Sequence, residues 1–488
     1  MESQSNSLFH RIRQNYDYFF LISLIFGLMG TILFHRAGMG LNSFLFTIII
    51  VVLFIFITKK LNISFTKWVL FCLITSILLS LSNVLTSSWK LQFLNNIGIL
   101  LLLDTSLIQL LSERKSLGFF DNIKNILLLP FKAISSIGLI FVEGNRFVKD
   151  KKIIKNDKFR NILIGCMIAI PLMVITTALL SSADMLYGKI AKSMFEWLLY
   201  RDFYRIIIKI ILGTLVCYCL LYGVTKETAV TVKEKTKASP TIGITISSLL
   251  LLSYALFCGI QIFYLFAGGI FILPKEFTYA DYARQGFFEL LTVTGFNITL
   301  ILICENVFEE NKFLKGILTA ITACSYIMIA SATYRMILYI GAYHLTFLRL
   351  LVLLFLLIDS LLLAGIVLSL YNKTFPLFKY CVVVISICYL IFSFSKPDYY
   401  IAKYFLAHTD TNELESEDIY FLTTDLSYDA ATLVVPLLEK HNDSRNLYQI
   451  DKYCKPLISD TKDIRNYNYS YMKAKKLLKD NLSFNKVD

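Results

Sequence analysis

Charge is scarce in this chain of 488 residues: Asp, Glu, Lys and Arg make up only 17% of it, against 56% hydrophobic and 14% aromatic. That excludes a disordered chain, whose composition is the reverse, and an ordinary soluble globule, in which about a quarter of the residues are charged. Cysteine is present without any arrangement. Nine of the ten, Cys72, Cys166, Cys217, Cys219, Cys258, Cys304, Cys324, Cys381 and Cys388, fall within or at the ends of apolar runs, and Cys454 stands alone. Neither a disulfide framework nor metal-ligand spacing follows. Cys217 and Cys219 are two positions apart, which turns them about 200° from each other on a helix, an angle at which they would chelate one ion poorly. The sequence also lacks a Gly-rich phosphate loop, a metal-spaced His/Cys/Asp cluster and an internal repeat, and the Gly/Pro pattern of broken transporter helices is weak. No cofactor is expected.

What the chain has in abundance is the long apolar run. With a mean hydropathy of +0.63 and runs near the roughly 20 residues that cross a bilayer as helix, the expectation is an all-α, polytopic transmembrane bundle. Eleven spans are predicted, at Tyr18 to Phe34, Leu41 to Thr58, Trp68 to Thr86, Phe93 to Leu111, Ile162 to Leu180, Ile206 to Val224, Ile242 to Ala267, Phe287 to Cys304, Leu314 to Ala332, Phe347 to Leu370 and Tyr380 to Phe394. The first follows Arg11 and Arg13 as a signal peptide would, but no small-residue cleavage pattern comes after it, so it is read as an uncleaved helix. The chain thus divides into a short N-terminus (1–17), four spans (18–111), a basic segment (112–160), seven spans (161–394) and a C-terminal tail (395–488).

Dividing the charge sharpens the picture. The net charge is +13, yet residues 395–488 hold 13 basic and 15 acidic side chains, which leaves 35 and 20 for the rest. The excess therefore belongs to the membrane part, where it speaks for lipid headgroups as partners and against nucleic acid. If the N-terminus is cytoplasmic, inner segments carry 24 basic residues and outer ones 9; by the positive-inside rule the N-terminus is inside and the tail outside. Lys209 and Arg349, within runs, are expected to snorkel. The apolar stretch Ile126 to Val142 contains Pro130 and Lys132, and its crossing would reverse every later loop. Residues 119–147 are therefore read as an interfacial segment on the inner leaflet. Lys, Ile and Asn usage suggests a bacterium, and so a bacterial plasma membrane.

In the tail, Ser416-Glu417-Asp418 reads as a helix start with an acidic first turn. Asp429 to Glu439 reads as a packed helix interrupted by Pro436. Tyr467, Tyr469 and Tyr471 are placed against the membrane surface, and Asn468-Tyr469-Ser470 formally matches a glycosylation acceptor. The tail is either a helical cap on the bundle or a domain for a protein partner.

Polar residues at membrane depth carry the functional expectation, because an ionisable side chain there costs several kcal/mol unless paired or hydrated. Asp104 and Asp359 lie inside runs and Glu289 near the start of one. Asp184, Asp281, Arg284, Glu289, Arg335, His344 and Arg349 are expected to converge on the outer edge, with Gln285 and Glu289 sharing a helix face that runs on toward Asn297. The candidate ligand or ion site is thus Asp184, Asp281, Arg284, Glu289, Asn297, Arg335 and Asp359. Such a site suits transport or response to a small-molecule or ion ligand, and Glu289→Gln is expected to abolish it. The alternatives are an enzyme acting on lipid-linked material, with Asp184, Glu289 and His344 as acid/base groups and Arg284 and Arg335 on phosphate, a sensor or scaffold working through the tail, and ion pairs that only fix loops.

The run Tyr279-Ala280-Asp281-Tyr282-Ala283-Arg284-Gln285-Gly286-Phe287-Phe288-Glu289-Leu290 resembles the signature of a bacterial polytopic family known as domain-of-unknown-function family 4173. Leu180-Ser181-Ser182-Ala183-Asp184, Thr333-Tyr334-Arg335-Met336, Leu345-Thr346-Phe347-Leu348-Arg349, Pro397-Asp398, Ala402-Lys403-Tyr404, Leu426-Ser427-Tyr428-Asp429-Ala430 and Val435-Pro436-Leu437-Leu438 resemble further pieces of it in order. The resemblance covers roughly residues 160 to 440 and implies a membrane bundle but no activity. His344 departs from it, standing where a small residue is expected.

Overall fold

The structure, a computed structural model, describes residues 8–111, 118–150, 165, 169, 172–173, 175–199, 203–226, 237–263, 286–411, 414–440, 446–459 and 463–481. Among the described residues it is helical, without a strand. In chain order the helices are α1 (Leu8–Gln14), α2 (Tyr16–Phe34), α3 (Leu41–Leu61), α4 (Lys67–Leu85), α5 (Trp89–Leu111), α6 (Phe119–Ser135), α7 (Ile137–Asp150), α8 (Met185–Leu199) and α9 (Phe203–Lys226). These are followed by α10 (Pro240–Gln261), α11 (Phe287–Val307), α12 (Lys312–Tyr343), α13 (Phe347–Tyr371), α14 (Leu377–Phe394), α15 (Pro397–His408), α16 (Ser416–Tyr420), α17 (Ala431–Lys440), α18 (Leu447–Ser459) and α19 (Tyr469–Asn481). Ten of them, α2 to α5 and α9 to α14, are long and apolar enough to cross a membrane. They coincide with ten of the eleven predicted spans; about half of the remaining one, Ile162 to Leu180, lies outside the described residues. The chain is a polytopic helical membrane protein. It forms two compact units, one of residues 1–77, 100–230 and 463–466, the other of 78–99, 231–462 and 467–488, with the boundaries falling inside α4 and α5.

In the first unit α2 and α9 touch through glycines. A Cβ on Gly27 would stand 2.5 Å from Ile210 O, and one on Gly213 would stand 2.8 Å from the Cα of Gly27. Between apolar helices in lipid, attraction comes from such close approach rather than from exclusion of water. Below that contact Tyr218 and Tyr222 stack with centroids 4.5 Å apart in a core with Ile12, Phe19, Leu61, Leu111 and Leu129. The stretch expected to be interfacial is two helices, α6 and α7, bent 51° at Ser136. Their inner side holds Leu129 and Glu143, the latter ion-paired with Arg13 at 2.8 Å and with Arg146 at 3.5 Å. Their outer side exposes Leu127, Phe131, Ile134, Phe141 and Val142, a stripe at helical spacing.

The second unit contains the bundle α10 to α14 and the tail. Its helices begin where local chemistry satisfies free N–H groups. Pro240 starts α10; the Asn311 side chain accepts from Phe313 and Leu314 N to start α12, and Thr346 from Arg349 N to start α13. α10 and α12 run parallel with α11 antiparallel between their ends, so the ends of α10, α12 and α14, the starts of α11 and α13 and the tail share one side.

The tail is helical, as expected, with corrections. Helix α17 continues through Pro436: the missing N–H forfeits one internal bond, while Val434, Val435 and Leu438 are buried, each worth about 1.5–3 kcal/mol. Tyr471 is not on the membrane surface but in the tail's core, its OH donating to Pro456 O at 2.6 Å, among Ile401, Leu422 and Leu457 and against Leu345, Phe347 and Leu350 of the bundle.

Candidate functional site

Arg335 sits inside α12, not in a loop after a span. The sequence run ends at Ala332, but the helix continues for eleven further residues and, at 32 residues, is about 48 Å long. The guanidinium is buried. It donates from Nη2 to Oε1 of Gln261, the last residue of α10, at 3.1 Å, and Ser331, one turn earlier on α12, donates to the same oxygen at 2.7 Å. Gly286 closes this centre from the third side. Its φ is +102°, a conformation that favours glycine, and a Cβ there would stand 2.6 Å from Arg335 Nη1, so a larger residue would strain the backbone and displace the guanidinium. Gly286 is also the N-cap of α11, whose first N–H groups and positive dipole end lie beside the guanidinium.

A second centre lies deeper. On the buried side of α11, Thr294 and Asn297 are one turn apart. Asn297 Nδ2 donates to Ser325 Oγ of α12 at 2.9 Å, and the Ser325 hydroxyl donates to Ile321 O at 2.9 Å. That committed proton fixes the amide's orientation and leaves Asn297 Oδ1 without a donor. Thr294 reaches Leu291 O at 3.0 Å and the carboxylate of Asp359 on α13. Asp359 Oδ2 has no partner. Asn297 is 0% and Asp359 8% exposed, and each lies near the middle of its helix. Ser325 and Arg335 are ten residues apart, so the two centres are separated by about 15 Å along α12.

Of the predicted site residues, three fall into these two centres. Arg335 belongs to the first centre, Asn297 and Asp359 to the second. Glu289 is exposed, because eight residues rotate a helix by 800°, leaving it about 80° away from Asn297. Asp184 belongs to the other unit; it is exposed and caps α8, accepting from Leu186 and Tyr187 N at 2.7 and 2.9 Å. Asp281 and Arg284 lie outside the described residues. Of the other outer-edge residues, His344 caps α12 with φ 64° and packs on Phe405. Arg349 donates to Tyr343 O and His344 O over the Tyr339 ring, bonding carbonyls at the helix end.

Sequence reasoning missed a polar seam between the α4–α5 turn and the tail. Asn95 Oδ1 accepts from Tyr389 OH at 2.7 Å and Ser393 Oγ at 2.8 Å, while its Nδ2 donates to Asn83 Oδ1 at 2.9 Å. Asp429 accepts from the Thr86 hydroxyl and from Ser87 N at 2.9 Å. Asp398 Oδ2 accepts from Ser427 N at 3.2 Å, and burial holds its carboxyl above the usual carboxylate range. Asn468 and Ser470 donate to the last carbonyls of α4, Asn468 to Asn83 O and Thr86 O and Ser470 to Leu85 O. Asn468 is buried, so it is a helix cap and not a glycosylation acceptor. Asparagines at positions 83, 95 and 96 within apolar runs were the available signal.

At the opposite ends of these helices a cavity of about 40 Å³ is lined by Glu305, Glu310, Lys315, Ser369 and Lys373. Its charges are satisfied, Glu305 by Ser369 at 3.1 Å and Glu310 by Lys315 at 3.5 Å and by Lys373. Among the described residues no three His, Cys, Asp or Glu side chains are grouped to hold a metal ion.

The family model of a domain of unknown function, DUF4153, matches residues 73–437. The chain belongs to the DUF4153 family. The number 4173, suggested by the motifs, is not confirmed by this match. The DUF4153 region takes in both polar centres, Asp398 and Asp429, and leaves out α1 to α3, α18 and α19. Searches of characterised proteins and of solved structures find no match.

Proposed function

We propose that this DUF4153 protein is a transport or ligand-responsive protein of the bacterial plasma membrane that takes an anionic or strongly polar small molecule at the Arg335 centre. One observation carries the reading: a guanidinium buried between α10 and α12, beside the N-terminus of α11 and against the backbone of a glycine at positive φ. Glycine at this positive φ lets the helix N-terminus approach the guanidinium closely. Carboxylate and phosphate groups match its fork of donors. The test is thermal unfolding of the purified protein against carboxylates, inorganic phosphate and phospholipid headgroup esters, with Arg335→Lys alongside. At least one compound is expected to stabilise the wild type, with affinity at least about tenfold weaker in the variant, since an ammonium cannot reproduce a two-point contact. Equal responses from both proteins contradict the proposal.

The N-terminus is placed in the cytoplasm and the tail outside, on the 24 to 9 distribution of basic residues. A cysteine introduced beside the exposed Lys473 should react with an impermeant maleimide applied to intact cells. Reaction only after lysis reverses the orientation.

A further inference from the structure

The deeper centre is an arrangement of oxygens with too few protons. Asn297 Oδ1 and Asp359 Oδ2 are buried and have no partner. The neighbouring hydroxyls do not supply the deficit: Ser325 gives its proton to Ile321 O, and Thr294 has one proton for Leu291 O and the carboxylate together. The nearby phenol of Tyr326 is spent as well, donating to Ser360 O at 2.9 Å. In an apolar interior an acceptor left bare is costly, and more so when charged. Two such acceptors call for a positive guest.

We propose that Asp359, Asn297, Thr294 and Ser325, at the middle depth of α11, α12 and α13, form a binding site for a monovalent alkali cation. Hard cations take oxygen ligands, and these residues offer a carboxylate, an amide carbonyl and two hydroxyl oxygens. A single carboxylate matches a single positive charge. The absence of any group of three His, Cys, Asp or Glu among the described residues argues against a divalent or transition ion. The site uses different residues from the Arg335 centre and stands or falls separately.

The experiment is thermal unfolding of the purified full-length protein with choline chloride replaced, at constant ionic strength, by LiCl, NaCl or KCl. One of the three ions is expected to raise the Tm by about 2 °C or more. Asp359→Asn should abolish that rise. Asn297→Ser, which keeps a small polar side chain but removes the amide oxygen, should shift it to at least tenfold higher salt. Arg335→Lys should leave it unchanged, which separates failure here from failure of the ligand reading. No ion-specific rise in the wild type overturns the proposal. So does a rise retained by Asp359→Asn, or a stabilisation that depends on pH and Asp359 but on none of the ions, which would assign the site to a proton.

Discussion

At the scale of single residues, the polar side chains in the second unit divide by whether their bonds are complete. Asn95, Asn468 and Asp429 have theirs filled by facing groups; they close helix ends and hold the tail in register. Asp398 is intermediate. Oδ2 is bonded, Oδ1 is not, and burial raises its folded-state pKa. For a carboxyl whose folded pKa lies above its unfolded value of about 3.9, the folded state binds more protons between the two. The contribution to stability is therefore fully present below the unfolded value and is lost as pH rises through the folded one. Asp398→Asn should remove that slope, so thermal unfolding followed from pH 4 to 7 should decline less in the variant than in the wild type. An identical decline in both would mean that Asp398 ionises as it does in the unfolded chain. None of this was legible from sequence, because Asp398 reads as a residue following a span and Asp429 as the start of a tail helix, and only their burial distinguishes them.

At the scale of elements, hydropathy located the long helices well, since each needs roughly 20 apolar residues and little else does. It failed at their ends. Helix α12 continues past Ala332 with Tyr334 and Arg335, and an apolar window has no means of following a helix into polar sequence. That misplacement put Arg335 in a loop, whereas it is buried within the helix. Helix α17 shows the complementary error: Pro436 reads as an interruption, but burial of its neighbours outweighs one lost bond. The pair α6 and α7 is expected at an interface because its crossing would bury Lys132 and reverse the charge bias of every later loop. The pair is bent by 51° and exposes an apolar stripe, and its length and composition also suit a broken span.

At the scale of the whole molecule, membership of the polytopic class followed from composition alone, because a chain with 17% charge and 56% hydrophobic residues has no other way to satisfy its backbone in lipid. Which polar residues act together did not, since that depends on pairings between helices far apart in the chain: Gln261 with Arg335, Thr294 with Asp359. We propose that Arg335 and Asp359 are kept in this bundle for binding rather than for stability. Residues kept for binding cost stability, and their removal restores it. The most direct measurement is the Tm of purified Asp359→Asn against wild type in choline buffer, where no small cation can offset the carboxylate. The account expects the variant to unfold at the same temperature as the wild type or higher. A Tm lower by several degrees would contradict it, identifying Asp359 as a structural bond of the bundle.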